Sequence, residues 1–444
     1  MISVRDGRIL FLIKALVALI FISKISLGSF LPLPYSFSFF IFQKGLHPYM
    51  NVALCVLFGV PLGVLWLKVR ERNHLSGFYK LFVMALMLTL TVQTLLQAHY
   101  VNQSESLLMQ LGALGTALFM VAIYGVIIPS LWNVRDFVRF IQRWTGVLVL
   151  ISLVLLIVSP AGVFKGGRFI GVFKHIPHMV TCATVGFIFS LGTYSSARSL
   201  KGKFWSALVL VSSFVAIILT GTRSSAAAAV LALFLIMIIH SARSNGGRIF
   251  KFAFLSLFLT FTLFFGVQSF EFAQGIATGQ TSLGSREAQD GVASRWEEVE
   301  RGLQMFLVEP WLGQGLLSKF SAGDDVGVTN YNAMKDPHNI FISAGVIGGW
   351  PSLVLSFIAV IFMVVGSLKA LLSADSAKKL VAIYLLSHIP ILIIYHVHLS
   401  IGGMADRFYW MIFGIVAATV FVNETSNVQK ENKRTLNKGA KAVN

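Results

Sequence analysis

The sequence predicts an all-α polytopic membrane protein of about twelve transmembrane helices, with one long hydrophilic loop that contains short helices. Three observations lead there. Of the 444 residues, 56% are hydrophobic and only 12% charged, with a mean hydropathy of +0.77. That charged share is about half of what a soluble globular protein carries. The apolar residues gather into many runs of spanning length, and the positive charges cluster in alternate connections between them.

The chain opens on MISVRDGRILFLIKALVALIFISKISLG, a basic start and a long apolar run without a small-x-small cleavage site. It reads as an uncleaved first span, 9–28, and not as a removed signal peptide. LPLPYSFSFFIF (31–42) is short and proline-rich and reads as an interfacial or re-entrant piece. Runs of the roughly 20 apolar residues a bilayer requires follow at 50–67, 78–97, 106–129, 144–160, 176–194, 204–220, 224–240 and 249–269. A hydrophilic segment then extends from about 270 to 337, and further spans lie at 340–368, 380–398 and 407–423. The expected organisation is a transmembrane bundle over 1–269, a long loop over 270–339, C-terminal helices over 340–423 and a basic tail over 424–444.

Lysine and arginine counts in short loops orient the chain. LKVRERNH, WNVRDFVRFIQR, SARSLKGK, SARSNGGRIFK, KALLSADSAKK and the tail KENKRTLNKGAK are basic, whereas AHYVNQSES and LSIGGMAD are not. Both termini are therefore expected in the cytoplasm, with the long loop on the outer side of the cytoplasmic membrane. The net charge of +18 is mainly a topology signal, which argues against a nucleic-acid partner. Cys55 and Cys182 sit in separate apolar runs and suggest neither a disulfide nor a metal site.

The exceptions to the charge rule point to chemistry. PAGVFKGGRFIGVFKHIPH (160–178) is an outer loop, yet it carries Lys165, Arg168 and Lys174 among glycines. It is either a loop touching lipid headgroups or an anion site, and a guanidinium can grip phosphate oxygens in a bidentate way. LTGTRSS is a tight outer turn that sets Arg223 between two apolar helices beside Gly221, Ser224 and Ser225. Arg223 either snorkels to the headgroups or presents a fixed cation to a phosphate. In the long loop, Arg295 begins an amphipathic helix whose apolar stripe is Trp296, Val299, Leu303, Phe306 and Leu307, with Glu297, Glu298 and Glu300 on its solvated side. Pro310 ends that helix and WLGQG supplies a turn.

His338, in DPHN at the start of the next span, faces the same side as these arginines. It is either a cap or a general base. A neutral imidazole can take the proton of a sugar hydroxyl at neutral pH. His388, His396 and His398 form a second group, without a carboxylate or cysteine at metal-ligand spacing. No metal site is expected.

Taken together, the tight turn with its arginine and the loop reading SRW…GLQMF…EPWLGQGLLSKF…DPHN resemble the O-antigen ligase superfamily. The resemblance covers most of the chain, with its core from Ser294 to Gly349. It implies transfer of a glycan from an undecaprenyl-diphosphate carrier to an acceptor, which is lipid A-core for the ligases and a growing glycan for the polymerases. It also implies that His338 is the base and that Arg223 and Arg295 bind the diphosphate. Arg168 is similar to a further basic position, with Lys174 beside it. One departure is visible: only IFISA separates Asn339 from Gly345-Val346-Ile347-Gly348, a shorter interval than the ligase pattern has. The donor bond is already activated, so no nucleotide cofactor is expected, and membrane lipids surround the enzyme. A transporter or flippase of a lipid-linked or anionic solute is the alternative of another class; it would use His388, His396 and the outer cations as a pathway.

Overall fold

A computed structural model describes residues 4–22, 57, 59–68, 75–100, 107–165, 168–173, 176–241, 292–315, 339–394 and 404–420. The first helices are α1 (Val4–Ile22), α2 (Val60–Lys68), α3 (Gly77–Tyr100) and α4 (Leu107–Met120). α4 runs on through a π-helical stretch, Val121–Ile127, into the short α5 (Ile128–Leu131). The central group is α6 (Val134–Val158), α7 (Ile176–Ser196), α8 (Leu200–Thr220) and α9 (Arg223–Ser241). α10 (Val292–Val308), α11 (Ile340–Leu372), α12 (Ser376–Ile394) and α13 (Met404–Val420) complete the described set. Among the described residues, six stretches are long and apolar enough to cross a membrane: 77–100, 110–131, 134–158, 176–196, 200–220 and 340–372. Leu81, Met84, Leu88, Val154, Ile157, Val211 and Ile361 are large, apolar and exposed. Outward-facing residues of this kind need an apolar surround, so the chain is a helical polytopic membrane protein. The spans expected at 249–269 and the piece at 31–42 lie outside the described residues.

Two expected boundaries are corrected. α6 begins ten residues before the expected 144, because Asn133 caps it by accepting from the Arg135 N–H at 2.9 Å and Asp136 stands in its first turn. The basic segment read as a connection is the polar start of this helix, with Arg135, Arg139 and Arg143 exposed. α8 likewise starts at Leu200, capped by Ser199, whose hydroxyl accepts from the Gly202 N–H at 3.1 Å.

The core is aromatic. Tyr79, Phe82, Phe137, Phe189, Tyr384, Phe408 and Phe413 are all buried, and many of them meet edge-to-face, as Tyr79 and Phe413 do at 5.4 Å. The wide turn of the π stretch is used here: Tyr79 donates its hydroxyl to the Gly125 carbonyl at 2.7 Å. Gln142 joins α6, α7 and α8 by donating to the hydroxyls of Ser190 and Ser206, each at 3.1 Å.

The ends of the bundle can be assigned from contacts. The Arg135 guanidinium meets the Asp375 carboxylate at 3.3 Å, so the starts of α6 and α12 lie at one end. α6 therefore ends at the other, and there the chain forms a hairpin of β1 (Phe164–Lys165) and β2 (Arg168–Phe169). α7 starts from the hairpin end, α8 returns to it, and α9 starts there. α11 is joined to α12 through residues 373–375, so its long second part also starts from the hairpin end, whereas its first residues fold back along it and stack Phe341 on Phe357 at 4.0 Å.

Close helix seams use glycine. A Cβ at Gly186 would fall 2.5 Å from the Ser213 hydroxyl, whereas one at Gly112 would meet nothing within 4 Å. Gly186→Leu is expected to destabilise the protein by about 1–3 kcal/mol, and Gly112→Ala to leave stability unchanged or slightly raised. Thermal unfolding in detergent measures both.

Candidate functional site at the hairpin end

The glycine-rich segment after α6 is a seated structure and not a loose loop. Phe164 pairs with Phe169 and Lys165 with Arg168 across an antiparallel ladder. Ile170 N–H donates to the Val163 carbonyl at 2.8 Å, and Val172 N–H to the buried Ser152 hydroxyl of α6 at 3.1 Å. Gly171 makes this return possible. Its φ is +57°, and a Cβ there would collide with the Ser152 side chain. Phe169, Ile170, Val172 and Phe173 are buried, which turns Arg168, half-buried, to the other side of the strand. β2 packs on α8 and α7. Lys174 lies outside the described residues.

The turn carrying Arg223 is as tight as the sequence suggests. α8 stops because Gly221 adopts the left-handed conformation, φ +59° and ψ +24°, and donates its N–H to the Ile218 carbonyl at 3.0 Å. Only Thr222 intervenes before Arg223 opens α9. The Thr222 carbonyl accepts from the N–H groups of Ser225 and Ala226 and from the Ser225 hydroxyl, the last at 2.7 Å. Ala228, Ala229 and Ala232 are buried and let α9 approach α7 and α12 closely. Since β2 packs against α8, the Arg168 strand and the Arg223 turn occupy the same end of neighbouring elements.

Arg295 is placed differently. It stands in the first turn of α10, about 16 Å along the axis from Phe306 at 1.5 Å per residue. Phe306 is the buried anchor: its ring meets Trp350 edge-to-face at 5.2 Å, and a Cβ at Gly345 would come within 2.9 Å of it. The expected apolar stripe of α10 is corrected by about one position. Gly302 and Phe306 are buried and Val299 and Met305 partly so, whereas Leu303 and Leu307 are exposed. A small residue at 302 permits close approach there, an effect that counting only large apolar residues misses.

α11 holds the least expected feature. Gly348 (φ −141°, ψ 27°) and Gly349 (φ +60°, ψ −159°) are non-helical and break it into halves, 340–347 and 350–372. The turn that ends α10 docks into the break. Gln314 N–H donates to the Val346 carbonyl at 2.6 Å, Gly315 N–H to Ile347 at 3.0 Å, and Trp350 N–H to Pro310 at 2.8 Å. Gly313, with φ +72°, lies so close that its Cβ would be 2.6 Å from the Gly348 nitrogen. Two buried glutamines of α3 complete the junction. Gln97 donates to the carbonyls of Ile347, at 2.8 Å, and of Leu312; Gln93 donates to the Gly348 carbonyl and accepts from the Ser352 hydroxyl at 2.8 Å. The sequence reading did not single out Gln93 and Gln97, although two glutamines four apart in an apolar helix are a usable signal.

Asn339 caps the first half of α11, its side-chain oxygen accepting from the N–H groups of Phe341 and Ile342 at 2.9 and 3.1 Å. His338 precedes it and lies outside the described residues. Between this half-helix, α3 and α13 is a largely apolar cavity of about 70 Å³, lined by Phe82, Leu90, Ile340, Ser343, Ile347 and Trp410 among others. His388 is elsewhere. It is buried in α12, stacked on Tyr384 at 4.0 Å, and its Nδ1–H donates to the Tyr384 carbonyl at 2.7 Å, the environment of a packing residue. His396 and His398 lie outside the described residues. Among the described residues no three His, Cys, Asp or Glu side chains gather as metal ligands.

Residues 208–357 match the family described as O-antigen ligase. The matched stretch contains Arg223, Arg295 and His338 and ends just past the break in α11, whereas Arg168 and Lys174 precede it. No curated protein matches the chain. Because Gly349 combines a left-handed φ with a backbone contact to Trp311, Gly349→Ala is expected to dislodge the 310–315 turn. Limited proteolysis in detergent should then cut that turn at least tenfold faster than in the wild type, about the effect of 1.4 kcal/mol of local destabilisation.

Proposed function

We propose, from the premise that this chain carries an O-antigen ligase domain over residues 208–357, that it transfers a glycan from an undecaprenyl-diphosphate carrier to lipid A-core. The reaction takes place on the periplasmic face of the bacterial inner membrane. The observation that carries this reading is a shared location. The Arg168 strand, the Arg223 turn and the break in α11 belong to the hairpin end of the bundle, and the half-helix capped by Asn339 folds back from that break along the second half, with Phe341 stacked on Phe357 at 4.0 Å. An apolar cavity lies beside the half-helix that Asn339 caps.

The chemistry requires such a gathering. Cleaving a sugar–diphosphate bond leaves the carrier diphosphate with one more negative charge, on its terminal phosphate, and cations fixed where that charge develops lower the barrier. Arg223 and Arg295, with Arg168 and Lys174, supply them. α9 begins with Arg223 and has no acidic residue in its first turn, so its positive dipole end adds to the field. His338 takes the proton of the acceptor hydroxyl as that oxygen attacks the anomeric carbon, and the carrier diphosphate leaves from the opposite face. The sugar is therefore inverted. Arginines carry the charge work, so no metal takes part in this scheme. The apolar cavity beside α11 receives the first isoprene units of the carrier.

A polymerase would use the same donor and the same residues, with a growing glycan as acceptor. The short interval between Asn339 and Gly345 is where the chain departs from the ligase pattern. A deletion strain separates the two: loss of all O-antigen from lipid A-core identifies a ligase, and retention of a single repeat unit identifies a polymerase.

In that strain, complementation with His338→Ala is expected to reduce transfer by about 10²–10⁴-fold, and with Arg223→Ala by about 10²–10³-fold, at normal membrane levels of protein. Wild-type transfer by either variant would sink the mechanism. Arg295→Lys keeps the charge but loses the planar fork, and is expected to lose at least tenfold in kcat/KM for the donor.

A further inference from the structure

The junction at the break in α11 depends on two residues that bind no reacting atom. We propose that Gln93 and Gln97 are positioning residues, which set the half-helix 340–347 and the 310–315 turn in one fixed relation and so aim the segment that carries His338. The proposal rests on the transferase reading above.

A single buried side chain, Gln97, bridges the turn and the half-helix. Gln97 donates its two amide hydrogens to the Leu312 carbonyl of the turn and to the Ile347 carbonyl of the half-helix. Gln93, one helical turn away, donates to the Gly348 carbonyl inside the break, and its oxygen is held by the Ser352 hydroxyl of the second half. The pair therefore touches the turn, both halves of α11 and α3 at once. Gln93, Gln97 and Ser352 are 5%, 2% and 7% exposed, so water does not compete for these bonds, and buried amide–carbonyl bonds are costly to leave unmade.

The consequence reaches the proposed base by geometry. The half-helix is short, about 12 Å from the break to Asn339 at 1.5 Å per residue. A rotation of about 5° at the break would move its tip by about 1 Å, enough to change a rate by about a hundredfold when a base must meet a hydroxyl. The arginines at 168 and 223 stand on α6–α9 elements that the glutamines do not touch. Releasing the glutamines should therefore damage turnover more than donor binding, since of the proposed donor contacts only Arg295 and the cavity adjoin the clamped parts.

The test uses the full chain in lipid nanodiscs, with hydrogen exchange and transfer kinetics measured on the same preparations. Gln97→Leu is expected to raise amide exchange of 310–315 and 346–350 at least tenfold, leaving 134–158 as in the wild type. It should lower kcat by about 10–100-fold, with a smaller change in KM for the undecaprenyl-diphosphate donor. Should Gln97→Leu fail to insert, Gln97→Asn, one methylene shorter, and Ser352→Ala, which frees only the Gln93 oxygen, are expected to show the same split with smaller loss. Unchanged exchange at 310–315 overturns the clamp. Raised exchange with unchanged kcat overturns the positioning role and leaves a structural one. A wild-type chain that transfers no glycan overturns the transferase reading, and with it the catalytic half of this proposal, whereas the exchange result still decides whether the glutamines hold the turn.

Discussion

A helix that breaks inside a membrane protein exposes backbone groups which lipid cannot satisfy, and this constraint organises the hairpin end of the bundle. Each unpaired N–H or C=O in hydrocarbon costs several kcal/mol. In α11 the carbonyls of Val346, Ile347 and Gly348 and the N–H of Trp350 are all paired, by the 310–315 turn and by Gln93 and Gln97. The break and the turn therefore explain one another. Without the turn the break would be untenable, and without the break the turn would have no partner for its own N–H groups. Glycine is required on both sides of the contact, at 313 and 349, because the two backbones meet with no room for a Cβ.

The remaining site elements are set by separate means. Ser152, Gly171 and the apolar face of the hairpin fix Arg168 relative to α6, and the left-handed Gly221 fixes the start of α9 relative to α8. In the proposed reaction this gives a division of labour. Leaving-group charge is met by cations on the α6–α9 group, and proton removal by a residue at the tip of a half-helix clamped to α3. Arg295 joins them from α10, whose anchor Phe306 packs against both halves of α11.

Much of this was legible in the sequence, for physical reasons that differ by residue. The spans at 78–97, 176–194 and 204–220 follow from hydropathy alone, and α3, α7 and α8 match them within a few residues. The Gly221–Arg223 turn was readable because glycine after an apolar run is a helix-stop signal. The start of α6 was missed because an amphipathic first turn lowers hydropathy where the helix has already begun at Asn133. The hairpin at 164–169 is too short for any periodicity to reveal. The break at Gly348–Gly349 falls inside the single span expected at 340–368, since nothing local says that residues 310–315, earlier in the chain, will dock there. Gln93 and Gln97 escaped notice for the same reason: their partners are more than 200 residues away.

The most direct test of the account is the anomeric configuration of the first product. Purified chain would be given an undecaprenyl-diphosphate glycan of known anomeric configuration and lipid A-core, and the new linkage read by proton–carbon NMR coupling. Direct displacement by a hydroxyl deprotonated at His338 predicts inversion at the transferred carbon. Retention would require a covalent glycosyl-enzyme step and would contradict the assignment of His338 as base.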